Sequence, residues 1–84
     1  MKIIFFTAPW CTPCHAMKPV IDWLKADVKV ADVSNEDSMA LAKSMWVTST
    51  PTIIFKKWDN EERVTWLTTL EALIEVRDKL WTNG

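Results

Sequence analysis

The stretch FFTAPWCTPCHAMKP, residues 5–19, decides how this chain is interpreted, because it contains the pentapeptide CTPCH at positions 11–15. Cys11 and Cys14, three positions apart, form a dithiol that could exchange electrons with a disulfide. The same two cysteines followed by His15 are also the attachment motif of a c-type haem. Two cysteines and one histidine are, in addition, part of many zinc sites. The five residues alone leave all three interpretations open.

The bulk composition predicts one small domain that spans residues 1–84. The hydrophobic fraction is 49% and the charged fraction is 25%, which are ordinary values for a soluble globular protein. The formal net charge of -1 provides no basic field that would attract nucleic acid or anionic lipid, so we expect neither as a partner. The longest apolar runs are only a few residues, so we expect no membrane-spanning segment. We also expect a monomer.

The first residues give an expectation for the cellular compartment. Met1 is followed almost directly by the apolar residues 3–6, and no basic region, apolar run and small-residue cleavage site precede the motif. We therefore expect the protein in the cytoplasm. In a reducing compartment, two cysteines at this spacing are more often catalytic or metal-binding than a structural disulfide.

The hydrophobic pattern predicts a strand, a helix and a second strand around the cysteines. Residues 2–7, KIIFFT, are apolar and β-prone, as in a strand that is covered on both faces. From about residue 11 to residue 26 the apolar positions recur at helical spacing. Pro13 would lie in the first turn of this helix, and Pro19 would kink it. Residues 28–33 alternate and form the second strand, which a helical connection makes parallel to the first.

The middle of the chain predicts a short helix and a β-hairpin. Ser34 is a candidate N-cap, with Asp37 in the third position, for a second helix that ends near Trp46. A third strand over residues 51–57 and a fourth over residues 62–66 are separated by a short polar turn, which is the pattern of a hairpin.

The last predicted element is an amphipathic helix. The sequence TTLE at residues 68–71 matches a capping box, in which Thr and Glu side chains satisfy free N–H groups at a helix start. Apolar side chains then recur at helical spacing from Leu70 to Trp81. The element order is therefore β-α-β-α-β-β-α, which is an α/β arrangement.

The chain has a single glycine, Gly84, so its turns must use other residues wherever the backbone needs a positive φ. Asparagine and aspartate tolerate that conformation best after glycine. We therefore expect Asp59-Asn60 to occupy such positions in the hairpin turn.

A c-type haem and a structural zinc ion both fit the rest of the chain poorly. A haem needs an axial ligand besides His15, the only histidine, and the helical spacing of Met17, Met39 and Met45 favours core packing over ligation. A structural zinc needs four protein ligands, whereas the motif supplies at most three. Adjacent Cys14 and His15 would also point in different directions on a helix. We therefore expect no metal and no bound cofactor.

The dithiol interpretation needs three features, and the sequence offers each of them. Cys11 lies where the helix begins, so free N–H groups and the helix dipole would stabilise a thiolate there. Cys14 lies one turn further on the same side, where its thiol could reach that sulfur. Thr50-Pro51, directly before a strand, is a candidate cis peptide bond that would present backbone to a substrate chain.

The segment APWCTPCHAMKP, residues 8–19, resembles the active-site segment of the thioredoxin family. In that family a tryptophan precedes Cys-x-Pro-Cys and a helix-kinking proline follows, which correspond here to Trp10, Pro13 and Pro19. Residues 30–62 resemble the family's next strand, helix, cis-proline loop and hairpin. The resemblance implies a thioredoxin-like or glutaredoxin-like fold, with a four-stranded mixed sheet in the order 2-1-3-4 flanked by three helices. In length and element order the chain is closer to a glutaredoxin.

The resemblance also implies a thiol-disulfide oxidoreductase that acts on protein disulfides. Cys11 would attack the substrate disulfide and form a mixed disulfide, and Cys14 would resolve it by closing Cys11–Cys14. The residues implied to contact the substrate are Trp10, Thr50, Pro51 and Trp66, with Pro51 opposite the two sulfurs. Electrons would arrive from a thioredoxin-reductase-like flavoprotein, and ribonucleotide reductase is an expected client by family analogy alone.

The chain departs from the thioredoxin pattern at the acid that assists the resolving cysteine. Thioredoxins usually place a buried aspartate six residues before the first cysteine, and that position here is Phe5. A buried carboxylate has a raised pKa and can act as a base, which phenylalanine cannot do. Our hypothesis is that Asp32 supplies the carboxylate from the neighbouring strand. The alternative is that Asp32 lies solvated at the strand end.

Three further side chains differ from those that thioredoxins usually carry. His15 follows the resolving cysteine, where lysine is frequent; it is either an exposed first-turn side chain or, when protonated, a group that stabilises the Cys11 thiolate. Trp66 falls where thioredoxins keep a glycine that leaves room for the substrate, and Trp46 falls where a small residue is common. These tryptophans are either rim packing or part of an apolar docking face for a partner protein.

Two alternative functions remain open from the sequence. Glutathione-dependent glutaredoxins resemble the chain in size, but they carry a Gly-Gly stretch after the hairpin, where this chain reads VTWLTTLEAL at residues 64–73. A non-enzymatic binding subunit that keeps the fold is the alternative from another class. We expect the flavoprotein-linked oxidoreductase.

Overall fold

The computed structural model describes residues 1–83 and has the predicted element order. The sheet order is β2-β1-β3-β4, with β1 parallel to β2 and antiparallel to β3, and with β3 antiparallel to β4, so the predicted mixed sheet is confirmed. The elements are β1 (Lys2–Thr7), α1 (Thr12–Trp23), β2 (Val28–Asp32), α2 (Glu36–Ser44), β3 (Thr52–Lys57), β4 (Asn60–Thr65) and α3 (Leu70–Asn83).

The two central strands form the core, as the continuous apolar run in β1 predicts. Phe5, Phe6 and Phe55 are almost completely buried, and Leu73 from α3 and Met17 from α1 pack into the same cluster. Burying one such side chain stabilises the fold by about 2 kcal/mol relative to leaving it exposed. This cluster fixes α1, and therefore the two cysteines at its start, against the end of β1.

Within residues 1–83, no helix is both long enough and apolar enough to cross a membrane.

Helix α1 is shorter than its apolar pattern predicts. The pattern indicated a helix to residue 26, but the helix ends at Trp23, and Lys25 adopts a left-handed backbone with φ 55°. A left-handed residue just past the last turn is a common helix end, because its N–H bonds back to a free carbonyl; here the Lys25 N–H donates to Asp22. Pro13 lies in the first turn, as predicted, and Pro19 lies inside the helix.

The caps of α2 and α3 each lie one residue beyond the predicted position. Asn35, rather than Ser34, is the N-cap of α2, and its Oδ1 accepts from the N–H groups of Asp37 and Ser38. At α3, Thr69 Oγ1 accepts from the Ala72 N–H, which puts the capping side chain one residue after the start of the TTLE box. Ser34 and Asn35 are adjacent, and either side chain could cap the helix. The Ser34 hydroxyl already donates to Asp32, so Asn35 is the cap.

The hairpin turn is also shifted from its predicted place. Lys57 pairs with Asn60, so the turn consists of Trp58 and Asp59 alone, and β4 covers Asn60–Thr65 instead of residues 62–66. The positive φ that we expected at Asp59-Asn60 occurs at Trp58, with φ 55°. A two-residue hairpin loop needs a left-handed residue at its first position, and strand pairing places a tryptophan there.

Candidate active site

The sequence between β1 and α1 places Cys11 at the mouth of the helix. β1 ends at Thr7, and the Cys11 N–H donates to the carbonyl of Ala8 at 3.1 Å, which closes the turn before the helix. Cys11 is the N-cap residue, with an extended backbone, and its Sγ accepts from the Cys14 N–H at 3.3 Å. Free N–H groups and the positive end of the helix dipole therefore lie at the Cys11 sulfur, which favours an anionic thiolate.

The two cysteines are joined as a disulfide in this structure, with their Cα atoms 5.2 Å apart. Their exposure differs, because Cys11 retains 7% of its surface and Cys14 retains none. The first turn of α1 contains no acidic side chain that would oppose a negative charge on Cys11. Of the two cysteines, the one at the helix mouth is thus the more accessible, and its partner is completely buried.

Trp10 and the loop before β3 form a groove beside this disulfide. Trp10 is 70% exposed, and the groove has a volume of about 210 Å³. Residues from α2, from the end of β2 and from the loop complete its walls: Val33, Met39, Ala42, Val47, Thr48, Ser49 and Thr50. The groove therefore brings together two predicted substrate-contact residues, Trp10 and Thr50, that lie far apart in the sequence.

The loop before β3 is held by hydrogen bonds at the end nearest the strand. The Thr50–Pro51 peptide bond is cis, and Thr52 Oγ1 donates to the Ser49 carbonyl at 2.7 Å. The Trp66 N–H donates to the Pro51 carbonyl at 3.0 Å, which places Trp66 directly beside the loop. Trp66 itself has φ 70° and is 58% exposed. The predicted substrate-contact residue Trp66 is therefore adjacent to Pro51.

The comparisons with known proteins decide the family. The chain matches the family described as Thioredoxin over residues 1–78. It is also 36% identical over 80 residues to a thioredoxin of Chlamydia caviae, a match that covers 90% of this chain and 78% of that protein. The chain belongs to the thioredoxin family.

Other thioredoxins show how much of the family's length this chain represents. It is 33% identical over 82 residues to chloroplastic thioredoxin M5 of rice, Oryza sativa, and it spans about half of that relative, with 92% of this chain and 48% of the relative covered. The structure of thioredoxin 1 from Thermosipho africanus superposes with a TM-score of 0.81 at 24% identity, covering 100% of both chains. That second likeness shows the thioredoxin fold.

The position of the usual thioredoxin acid is apolar in this chain. Phe5 is 1% exposed and pairs with Val30 on β2 and Ile53 on β3. Because β1 is one of the two inner strands of the sheet, the residue at this position is surrounded by apolar neighbours. Phenylalanine therefore fills the space in which other thioredoxins would need to bury a carboxyl group.

Asp32 ends β2, and its carboxylate binds Ser34, two residues further along the chain. Asp32 Oδ1 accepts from the Ser34 hydroxyl at 2.7 Å and from the Ser34 N–H at 2.9 Å. These hydrogen bonds, the hydroxyl first, lower the pKa of Asp32 below its usual value, with a smaller contribution from Lys18. A base that takes up a proton near neutral pH needs a raised pKa, so this environment favours the solvated alternative over our hypothesis.

His15 is exposed and turns back toward the start of the loop. Its Nε2 lies 3.0 Å from the Pro9 carbonyl oxygen. Because a carbonyl only accepts, this contact assigns the proton to Nε2. His15 therefore braces the turn that carries Trp10 and Cys11.

Arg63 is a residue of the site's framework that the sequence analysis missed. On β4 its Nε donates to Glu61 Oε2 at 3.0 Å, and its Nη2 donates to the Met45 carbonyl at the end of α2. Met45 immediately precedes the loop that contains Pro51, so Arg63 ties β4 to the start of that loop. No pattern in the sequence of β4, NEERVT, identifies a hydrogen-bond partner for Arg63. Among residues 1–83 there is no cluster of three or more potential metal-binding side chains.

Proposed function

We propose that this protein reduces protein disulfides as a dithiol–disulfide oxidoreductase. The observation that carries the proposal is the Cys11–Cys14 pair, with the more exposed sulfur at the mouth of α1 and the buried one a turn behind it. Membership of the thioredoxin family supports the same activity.

The exchange proceeds in two displacements. The Cys11 thiolate attacks one sulfur of the client disulfide, so a Cys11–client bond forms and the second client sulfur leaves as a thiolate. The Cys14 sulfur, as thiolate, then attacks Cys11 Sγ, which forms the Cys11–Cys14 disulfide and releases the first client sulfur. Two electrons pass to the client, whose two thiolates take up protons from solvent.

The residues around the disulfide fit the binding of an extended client segment. Trp10 and Thr50 line the groove, and the Trp66 N–H donates to the carbonyl of Pro51, which follows Thr50 and has a buried side chain. We assign these four residues to substrate contact. Pro13 lies in the first turn of the helix that Cys11 caps, and His15 braces the preceding turn.

Asp32 stays a hypothesis as the substitute for the acid that Phe5 displaces. If it assists Cys14, Asp32→Asn slows the release of the mixed disulfide. An unchanged release rate would mean that Asp32 only binds Ser34 at the end of β2.

The proposed biological setting follows the family. Electrons come from a thioredoxin-reductase-like flavoprotein in the cytoplasm, and ribonucleotide reductase is one client to test. The protein acts as a single domain and a monomer. A glutathione-dependent activity is the second candidate in this class, and a binding subunit that needs no cysteine is the candidate outside it.

Insulin-disulfide reduction with matched single-cysteine variants tests the proposal. Cys11→Ser should abolish turnover, whereas Cys14→Ser should trap a mixed disulfide that mass spectrometry detects. Supplying electrons through a flavoprotein reductase or through glutathione separates the two donors. If Cys11→Ser retained full turnover, or if the double variant kept the protein's biological role, the oxidoreductase proposal would be wrong.

A further inference from the structure

A second surface lies at the opposite end of the sheet from the disulfide. β1 begins at Lys2 and spans six residues, so its start is roughly 16 Å from the end that leads to Cys11. An open groove of about 650 Å³ occurs at this end, within the range of small-molecule sites. We name it the lysine–tryptophan groove, and its lining residues are Met1, Lys2, Lys56, Lys57, Trp58 and Trp81.

Two positively charged side chains lie opposite each other in this groove, which destabilises the sheet. Lys2 on β1 and Lys56 on β3 are direct cross-strand partners, and like charges in that position repel. Lys57 is the next residue along β3. None of the described residues that line the groove is acidic. Glu61 is the partner of Lys56 on the other side, but its Oε2 binds Arg63 at 3.0 Å. The side chains of Lys2 and Lys56 therefore share one face of the sheet, whereas Lys57 alternates to the opposite face and donates to the Trp81 carbonyl.

Two indoles provide flat apolar walls beside these cations. Trp58 is 80% exposed at the tip of the hairpin and lines the groove. Trp81 is 65% exposed, and Lys57 Nζ lies 4.7 Å from its ring centroid while donating to its carbonyl at 2.9 Å. The Lys57 contact orders the Trp81 ring through a cation–π interaction. Both indoles are thus exposed beside lysines, and the Trp81 ring already carries Lys57 on one side.

We propose that the lysine–tryptophan groove binds a nucleoside diphosphate. Any nucleobase can stack on tryptophan, because every base has a flat aromatic face. Phosphate oxygens pair with lysine ammonium groups. In a nucleoside diphosphate the phosphate oxygens pair with Lys2 and Lys56, which are direct cross-strand partners, while Lys57 keeps its contact with Trp81. The site is independent of the disulfide-exchange proposal, because no residue is shared between them.

Titration of the full chain with ADP, followed by backbone amide NMR shifts, tests the proposal. We expect saturable binding below about 1 mM, with shifts concentrated at residues 56–59 and at the end of α3. Pyrophosphate and adenosine, which supply the charge and the base separately, should each bind about tenfold more weakly. A Cys11→Ser, Cys14→Ser protein should bind ADP unchanged, so failure here and failure of the oxidoreductase proposal are distinguishable.

Matched variants separate this groove from ordinary surface charge and surface tryptophan. Trp58→Ala and Lys56→Gln should each weaken ADP binding by about fivefold to tenfold. Trp23→Ala and Lys43→Gln remove an exposed tryptophan and an exposed lysine elsewhere and should leave it unchanged. Equal weakening by the controls, or no saturation by about 5 mM ADP, would overturn the proposal. Tenfold tighter binding of a single-stranded oligonucleotide than of ADP would overturn the assignment to a free nucleotide.

Discussion

At the scale of single residues, the unusual feature is that tryptophan occupies backbone positions that favour glycine. Trp46, Trp58 and Trp66 have φ values of 59°, 55° and 70°. A side chain with a Cβ costs about 1 kcal/mol or more in this region, because Cβ approaches the carbonyl oxygen. All three indoles are more than half exposed, so burial of the ring does not offset that cost.

Replacing Trp46 therefore separates backbone strain from side-chain loss. Trp46→Gly should be more stable than Trp46→Ala by about 1 kcal/mol, because only glycine adopts φ 59° without strain. Urea unfolding of the two variants measures the difference. At Ala40, an exposed position inside α2, the order should reverse, with Ala40→Gly less stable than the wild type by about 1 kcal/mol. If Trp46→Gly unfolded at a lower urea concentration than Trp46→Ala, backbone strain at this position would be ruled out.

Asp32 should make stability depend on pH in the acid range. Its pKa is lowered in the folded protein, so its stabilising contribution is present above the unfolded pKa and is lost as the pH falls through the folded pKa. The stability difference between the wild type and Asp32→Asn should therefore shrink from about pH 6 to about pH 2. Urea unfolding across that range measures it. In a Ser34→Ala background the difference at pH 6 should already be smaller, because one of the two hydrogen bonds to Asp32 is gone.

At the scale of secondary structure elements, the chain pattern identified each strand and helix but misplaced several ends. Apolar periodicity extends over many residues, so it located α1, α2 and α3 without tertiary information. The ends depend on which of two neighbouring polar side chains caps the helix, and Ser34 and Asn35 are chemically similar candidates. Only the bond from Ser34 to Asp32 in the folded chain decided between them.

The cap of α3 can be tested with two matched substitutions. Thr69→Ala should destabilise the protein by about 1 kcal/mol, because Thr69 Oγ1 accepts from the Ala72 N–H. Thr68→Ala removes the same group one residue earlier and should change stability by less than about 0.5 kcal/mol. Thermal or urea unfolding distinguishes them. A larger effect at Thr68 would restore the capping box that the sequence predicted.

At the scale of the whole molecule, the sheet order explains why this chain carries Phe5 where thioredoxins usually bury an acid. β1 lies between β2 and β3, so Phe5 has neighbours on both sides and is 1% exposed. A carboxyl group there would have no hydrogen-bond partner unless a water or a polar side chain entered the core. The fold is therefore stabilised by an apolar side chain at a position next to its reactive centre.

Restoring the acid should lower stability in a pH-dependent way. Phe5→Asp should destabilise the protein by about 3 kcal/mol or more at pH 7, because it removes a buried ring and buries a charge. Burial raises the folded pKa of the new carboxyl, so the loss relative to the wild type should be smaller at acidic pH, where the group is neutral in both states. Phe5→Leu, a change of similar polarity, should cost less than about 1.5 kcal/mol. Equal losses at pH 5 and pH 8 would contradict a buried carboxyl.

The sequence by itself determined the strand–helix unit with Cys11 at the helix mouth and Cys14 one turn behind. These features depend on residues that are neighbours along the chain, where propensity, spacing and proline restrict the backbone directly. Only the tertiary structure decided that Trp66 lies against Pro51, that Arg63 ties β4 to the loop after α2, and that Asp32 binds Ser34. In the first two cases the partners are 15 and 18 residues apart along the chain. Strand register and helix packing select these two contacts, and the local sequence pattern does not encode them. At Asp32 the partner is local, but the choice among several polar neighbours depends on where β2 ends in the sheet.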